Sequence, residues 1–169
     1  MPLKQTIQRA RKDRRGGKSP STQAGEFVRE QIDEIRQGRH GARSTRQAIA
    51  IGLSEARRSG VKLPPPKRGS VTDRTRESAE RAYEVGQGVR KARRRPRASR
   101  AVSKALKREP RRSASHAALS RQARVASSRR TAAQRASAAH KAVRTKGATR
   151  RSAAARKAAR TRARRQRHS

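Results

Sequence analysis

The stretch "RSTRQAIAIGLSEARRSG", Arg43 to Gly60, decides how this chain is read. Ser44 followed by Gln47 has the form of a capping box, in which the serine oxygen meets the backbone N–H three residues on. Ile49, Leu53 and Ala56 recur at i, i+4 and i+7, with Ala48 and Ile51 beside them, which predicts a helix with one apolar stripe. Gly60 suits the left-handed stop and Val61 its hydrophobic partner. The following "KLPPPKRG" ends helical structure, because consecutive prolines favour stiff, extended chain.

Just upstream, "STQAGEFVREQIDEIRQGRHG" predicts a second helix. Val28, Ile32 and Ile35 share one face, and Phe27 and Gln31 lie beside it. Ser21 or Thr22 can cap its start, Glu26 and Glu30 sit early and Arg36 late, as the helix dipole prefers, and Gly38 suits its end. Two amphipathic helices joined by a short basic loop form a helical hairpin, with Phe27, Val28, Ile32 and Ile35 packed on Ile49, Ile51 and Leu53. A third helix within Thr72–Arg94 would add Ala79, Ala82, Tyr83 and Val89, with Gly86 and Gly88 weakening its second half.

The rest of the chain offers little to pack on that hairpin. In 169 residues it carries 49 Lys and Arg against 11 Asp and Glu, a formal net charge of +38, with 1% aromatic residues. The apolar 30% is mostly alanine, which buries little area, while each ordered residue costs roughly 1–2 kcal/mol of backbone entropy. The expected fold class is therefore mostly disordered with a small all-α element. Its parts are a basic disordered arm at 1–20, the hairpin at 21–63, a Pro-rich linker at 64–71, a third helical segment at 72–94 and a disordered Arg/Ala/Ser-rich tail at 95–169. Asp13, Glu26, Glu30, Asp33, Glu34, Glu55, Asp73, Glu77, Glu80 and Glu84 all precede that tail, and Glu109 is the only acid within it.

Cysteine is absent and the four histidines, at 40, 116, 140 and 168, are scattered, so no thiol chemistry and no metal site are expected. "GQGVRK" at Gly86 lacks the third glycine and the preceding strand of a nucleotide-binding turn. No apolar run is long enough to span a bilayer, and the first residues lack the apolar core of a secretion signal. Neither an enzyme nor a cofactor is expected. The positive signal is the basic runs, which neutralise phosphates and release condensed counterions. The candidate nucleic-acid-binding residues are Arg90, Lys91, Arg93, Arg94, Arg95, Arg97, Arg111, Arg112, Arg129, Arg130, Arg150, Arg151, Arg162, Arg164 and Arg165. Arginine far outnumbers lysine; bidentate phosphate recognition and a GC-rich genome explain that bias equally well. The near absence of aromatics argues against a single-strand or RNA-stacking module and leaves duplex DNA or structured RNA, read through the backbone; of the two, duplex DNA is the favoured partner.

"GEFVREQIDEIRQGRHGARSTRQAIAIGLSEARRSGVKLPPP", Gly25 to Pro66, resembles the core of an uncharacterised family of small basic bacterial proteins, a domain of unknown function. "ALKREPRRSASHAALSRQAR", Ala105 to Arg124, resembles a second block of the same proteins. The resemblance implies a bacterial source and supplies no functional residues. In texture, the tail is similar to those of histone H1-like nucleoid proteins. The expectation is non-specific, phosphate-directed DNA binding and compaction in the nucleoid of the bacterial cytoplasm, with no membrane partner. Two alternatives stay open: an RNA- or ribosome-associated basic protein, and a helical adaptor holding a protein partner through Ile49, Ile51 and Leu53.

Overall fold

In the structure, a computed structural model describing residues 2–93 and 96–166, the chain is helical over most of its length. The helices are α1 (Lys4–Arg15), α2 (Pro20–Arg36), α3 (Thr45–Arg58), α4 (Asp73–Gly86), α5 (Pro96–Arg108), α6 (His116–Ser128) and α7 (Ala132–Gln166), with a 3-10 turn at Arg111–Ala114; no strand occurs among the described residues. Two compact units are present, residues 1–122 and 123–169.

Local chemistry explains where the helices begin and end. Helix α2 starts with Pro20 at its first position, where a missing N–H costs nothing, so Ser21 and Thr22 lie inside the helix instead of capping it. At α3 the Gln47 N–H donates to Ser44 Oγ at 3.2 Å, and the Gln47 side chain accepts from the Arg43 N–H at 2.7 Å. That return bond falls one residue upstream of the one a capping box makes. Gly60 has φ 87°, and the Val61 N–H reaches the Ala56 carbonyl at 3.1 Å while Gly60 reaches Arg57 at 3.0 Å. This Schellman closure needs a residue comfortable at positive φ. The same pair of bonds closes α1, α2 and α4 around Gly17, Gly38 and Gly88.

Helices α2 and α3 run antiparallel and form the spine of the first unit. Ala24 and Phe27 meet Ala56 at one end, and Ile32 and Ile35 meet Ala48 at the other. Between them Gly52 lies so close to α2 that a Cβ there would sit 2.7 Å from Val28 Cα. The buried face of α3 is Thr45, Ala48, Gly52 and Ala56, while Ile49, Ile51 and Leu53 are half-buried along its sides. The expected Ile49–Leu53 stripe is thus displaced by a small-residue face. Small side chains let two backbones approach closely, and Phe27 and Ile35, fully buried on α2, fill the space at either end.

Each end of the spine is closed by a further segment. At the Phe27 end, α1 brings Ala10 and Ile7, and the chain after α3 brings Val61 and Leu63. Arg57, nearly buried, donates to the carbonyls of Leu63 at 3.2 Å and Pro64 at 3.3 Å, holding the proline run against α3; burial pushes its guanidinium below the usual arginine value. Helix α4 packs on α3 through Ala79 and Ala82. At the Ile35 end, Ala114 and Leu119 join Ile32, Ile35, Ala42 and Ala48. Here the α2–α3 loop is clasped through the backbone of 106–114. The N–H groups of Gly41 and Ala42 donate to Leu106 and Pro110 carbonyls at 2.8 and 3.3 Å. Thr45 Oγ1 donates to Ser113 O at 2.7 Å, and Arg36 Nε to Ala114 O at 2.9 Å.

These contacts overturn the mostly disordered, small-hairpin reading. Residues 4–15 of the expected arm are α1, anchored by buried Thr6 and Ala10 and by Arg9 on Glu26 at 2.7 Å. The expected disordered tail at 95–169 holds α5, the 3-10 turn, α6 and α7. Counting large apolar residues misses both: α1 packs through Thr6 and Ala10 and residues 106–119 through Ala114, Leu119 and backbone hydrogen bonds, while α7 is helical with its described side chains exposed. In α6 and α7, alanine and arginine are strong helix formers and each helix has a cap. Ser115 Oγ accepts from the Ala118 N–H at 3.2 Å, and Thr131 with Gln134 forms a complete reciprocal capping box, both bonds 3.2 Å.

The Gly52 crossing makes two predictions of opposite sign. Gly52→Ala should destabilise the protein by about 1–3 kcal/mol, the usual cost of overpacking. Gly25→Ala, on α2 with nothing within 4 Å of the added Cβ, should stabilise it by about 0.5–1 kcal/mol through helix propensity. Thermal unfolding followed by circular dichroism checks both.

Candidate nucleic-acid interface

The cations divide by whether a carboxylate stands beside them. In residues 1–93 many are paired. Arg9 and Arg29 share Glu26 at 2.7 and 3.0 Å, Lys18 meets Asp13 at 2.6 Å, and Arg39 meets Glu34 at 3.4 Å. Arg76 with Glu80 and Arg81 with Glu77 are pairs one helical turn apart, each at 3.5 Å. Such exposed pairs are worth about 0–1 kcal/mol each, but they lower the field that this part of the chain presents.

Of the expected binding residues, the group Arg90, Lys91, Arg93, Arg94 and Arg95 is partly assembled. Arg90, Lys91 and Arg93 join Arg81 and Val85 around an open groove at the end of α4. Arg90 also pairs with Glu84 at 3.3 Å; Lys91 and Arg93 are exposed. Arg94 and Arg95 lie outside the described residues. Arg81 was missed because it sits in a sign-mixed helix; its place one turn before Val85 was the available signal.

Arg97 is exposed in the first turn of α5. That helix carries a row of Arg97, Arg100, Lys104 and Lys107 opposite Ala98, Ala101, Val102 and Ala105, and none of its residues is buried. The i, i+3, i+7 spacing of those cations was legible in the sequence but was set aside with the tail. Arg111 and Arg112 are exposed on the 3-10 turn, and the Arg111 guanidinium lies over Gly38, so it also covers the end of α2.

In the second unit, Arg129 and Arg130 occupy the turn before α7, and the Arg130 carbonyl accepts from Arg135 Nη1 at 3.2 Å. Arg150, Arg151, Arg162, Arg164 and Arg165 all lie on α7. Arg151, Arg162 and Arg164 are exposed, and Arg151 Nε donates back to the Gly147 carbonyl at 3.2 Å. Helix α7 further presents Arg156, Lys157 and Arg160, which sequence reading left out. No Asp or Glu occurs after Glu109, so the second unit has no carboxylate to neutralise these groups. Among the described residues no helix is long and apolar enough to cross a membrane.

Residues 21–68 match the model of a family described as a family of unknown function (DUF6496). The matched stretch spans α2, α3 and the proline run and contains the first block quoted above; the second, Ala105–Arg124, lies outside it. No curated protein and no solved structure matches the chain.

One carboxylate of the first unit, Glu55, couples its stability to pH. Burial between α2 and α3 raises the pKa of Glu55, and the neighbouring Glu30 and Glu34 charges add to the rise while Arg58 opposes it. Gln31 Nε2 donates to Glu55 Oε2 at 2.9 Å. A raised carboxyl pKa means that the folded state holds its proton more tightly than the unfolded state. Glu55 therefore detracts from stability above its folded pKa, and that loss is relieved as pH falls through it toward the unfolded value. Glu55→Gln should melt higher than the parent at pH 7, and the two melting temperatures should converge near pH 4.

Proposed function

We propose that this chain is a phosphate-directed DNA-binding protein that neutralises and compacts duplex DNA. Its setting is a bacterial nucleoid, in the manner of the histone H1-like proteins that its basic tail resembles. The reading rests on one observation: a helical unit, 123–169, that holds exposed arginines and lysines and no Asp or Glu. Like charges on one helix repel at i, i+4, as between Arg156 and Arg160 or Arg160 and Arg164, and nothing inside the unit offsets that repulsion. A polyanion relieves it and is bound with release of condensed counterions. The first unit, where acids offset part of the charge, carries the Arg81–Arg93 groove as an auxiliary contact.

Binding of this kind is indifferent to base sequence and steep in salt. If about ten phosphates are neutralised, log K should fall against log salt with a slope of about −9 on duplex DNA. Removing 123–169 should lower affinity more than about tenfold and flatten that slope. Anisotropy titrations of both proteins across a salt series test this. A slope shallower than about −3, or near-full affinity in residues 1–122, would overturn the proposal. Competition with structured RNA of equal charge separates DNA from RNA.

A further inference from the structure

Helix α7 is not a uniform rod of charge. Gly147, at φ 65° and ψ 168°, breaks it into segments of 132–146 and 148–166. At 3.6 residues per turn, each segment carries a narrow, uncharged ridge with cations on both sides of it, in rows along 148–166 and singly along 132–146. In 148–166 the ridge is Ser152, Ala155, Ala159 and Ala163, at i, i+3, i+7 and i+11. Arg151 and Arg162 flank it on one side, and Arg156 and Arg160 on the other. In 132–146 the ridge is Ala132, Ala136, Ala139 and Val143, flanked by Arg135 on one side and by His140 and Arg144 on the other. All of these side chains are exposed.

A surface with two positive margins and a slim, neutral centre is complementary to a groove with two negative walls. The walls of a DNA groove are the phosphates of opposite strands, and the floor is base edges. An α-helix with its side chains is about 10–12 Å across, which fits the major groove at about 12 Å and not the minor groove at about 6 Å. The major groove of A-form RNA is too deep and narrow to take it. Alanines let the helix axis sit close to the floor, and their methyl groups offer no hydrogen bond to the base edges that carry most of the sequence readout. At 1.5 Å per residue the segments are about 22 and 28 Å long, so each is short enough to follow one stretch of curving groove, and Gly147 permits a change of direction between them.

We propose that the two segments of α7 lie in the major groove of duplex DNA, each with its small-residue ridge toward the base edges and its flanking cations on the two phosphate backbones. This rests on the DNA-binding reading above and adds to it the groove and the face.

The test uses the full chain and two duplexes of the same sequence, one with ordinary cytosine and one with glucosylated hydroxymethylcytosine, which fills the major groove without changing the phosphates. Affinity for the glucosylated duplex should be lower by about tenfold or more, and netropsin, which occupies the minor groove, should not compete. Equal affinity for both duplexes, or displacement by netropsin, overturns the groove assignment while leaving DNA binding in place. Failure to bind either duplex overturns the DNA-binding reading itself. A second arm tests the face. The double substitution A155L/A159L keeps charge and helix propensity but thickens the ridge, and should weaken binding about fivefold or more to the ordinary duplex. A153L/A154L, away from the ridge, should not. Equal effects of the two pairs would show that the ridge does not face the DNA.

Discussion

The close approach of α2 and α3 at Gly52 is the constraint on which the first unit depends. With Gly52 set against Val28, Phe27 and Ile35 disappear fully into the interface at either side. Two large apolar side chains and a row of alanines then suffice, because dispersion and burial act over a tightly closed seam. The seam also fixes where its ends lie. One end receives α1 and the Arg57-held proline run, and the other receives residues 106–119 through four hydrogen bonds to the α2–α3 loop and its flanks. A wider separation of α2 and α3 would leave neither site in register.

Charge is distributed unevenly between the two units. The unit that must pack carries all of the acids, and its arginines are repeatedly held by Glu26, Glu34, Glu77, Glu80 or Glu84. The unit that makes no comparable core carries none. Folding a small helical core under strong positive self-repulsion is costly, and local carboxylates reduce that cost where packing is thin. A helix such as α7 needs no core to be helical in the presence of an anionic partner, so it can dispense with acids and present its full charge.

Much of this was legible residue by residue. The Ser44–Gln47 start, the Gly60–Val61 stop and the Val28–Ile32–Ile35 face are local patterns with local causes, and so is the gathering of cations past Glu84. Other features were hidden because sequence reading weighs side chains by size. The buried face of α3 is its smallest one, so Ile49 and Leu53 drew attention away from Ala48 and Gly52. Ala10 on α1 does not look like an anchor until Ala24 and Phe27 are placed beneath it. The complete capping box at Thr131–Gln134 is visible in principle but lies in the stretch expected to be a disordered tail.

By itself the sequence determined the charge, its separation into an acid-bearing and an acid-free part, and the helical preference of each segment, since these follow from composition and from contacts within a turn or two of chain. Only the tertiary structure decided that residues 106–119 belong with the hairpin, because that union rests on the carbonyls of Leu106, Pro110, Ser113 and Ala114 meeting Gly41, Ala42, Thr45 and Arg36. Every residue offers a backbone carbonyl, so nothing in the letters marks which ones will be used. The choice is made when α2 and α3 close to glycine distance and present their loop in one geometry.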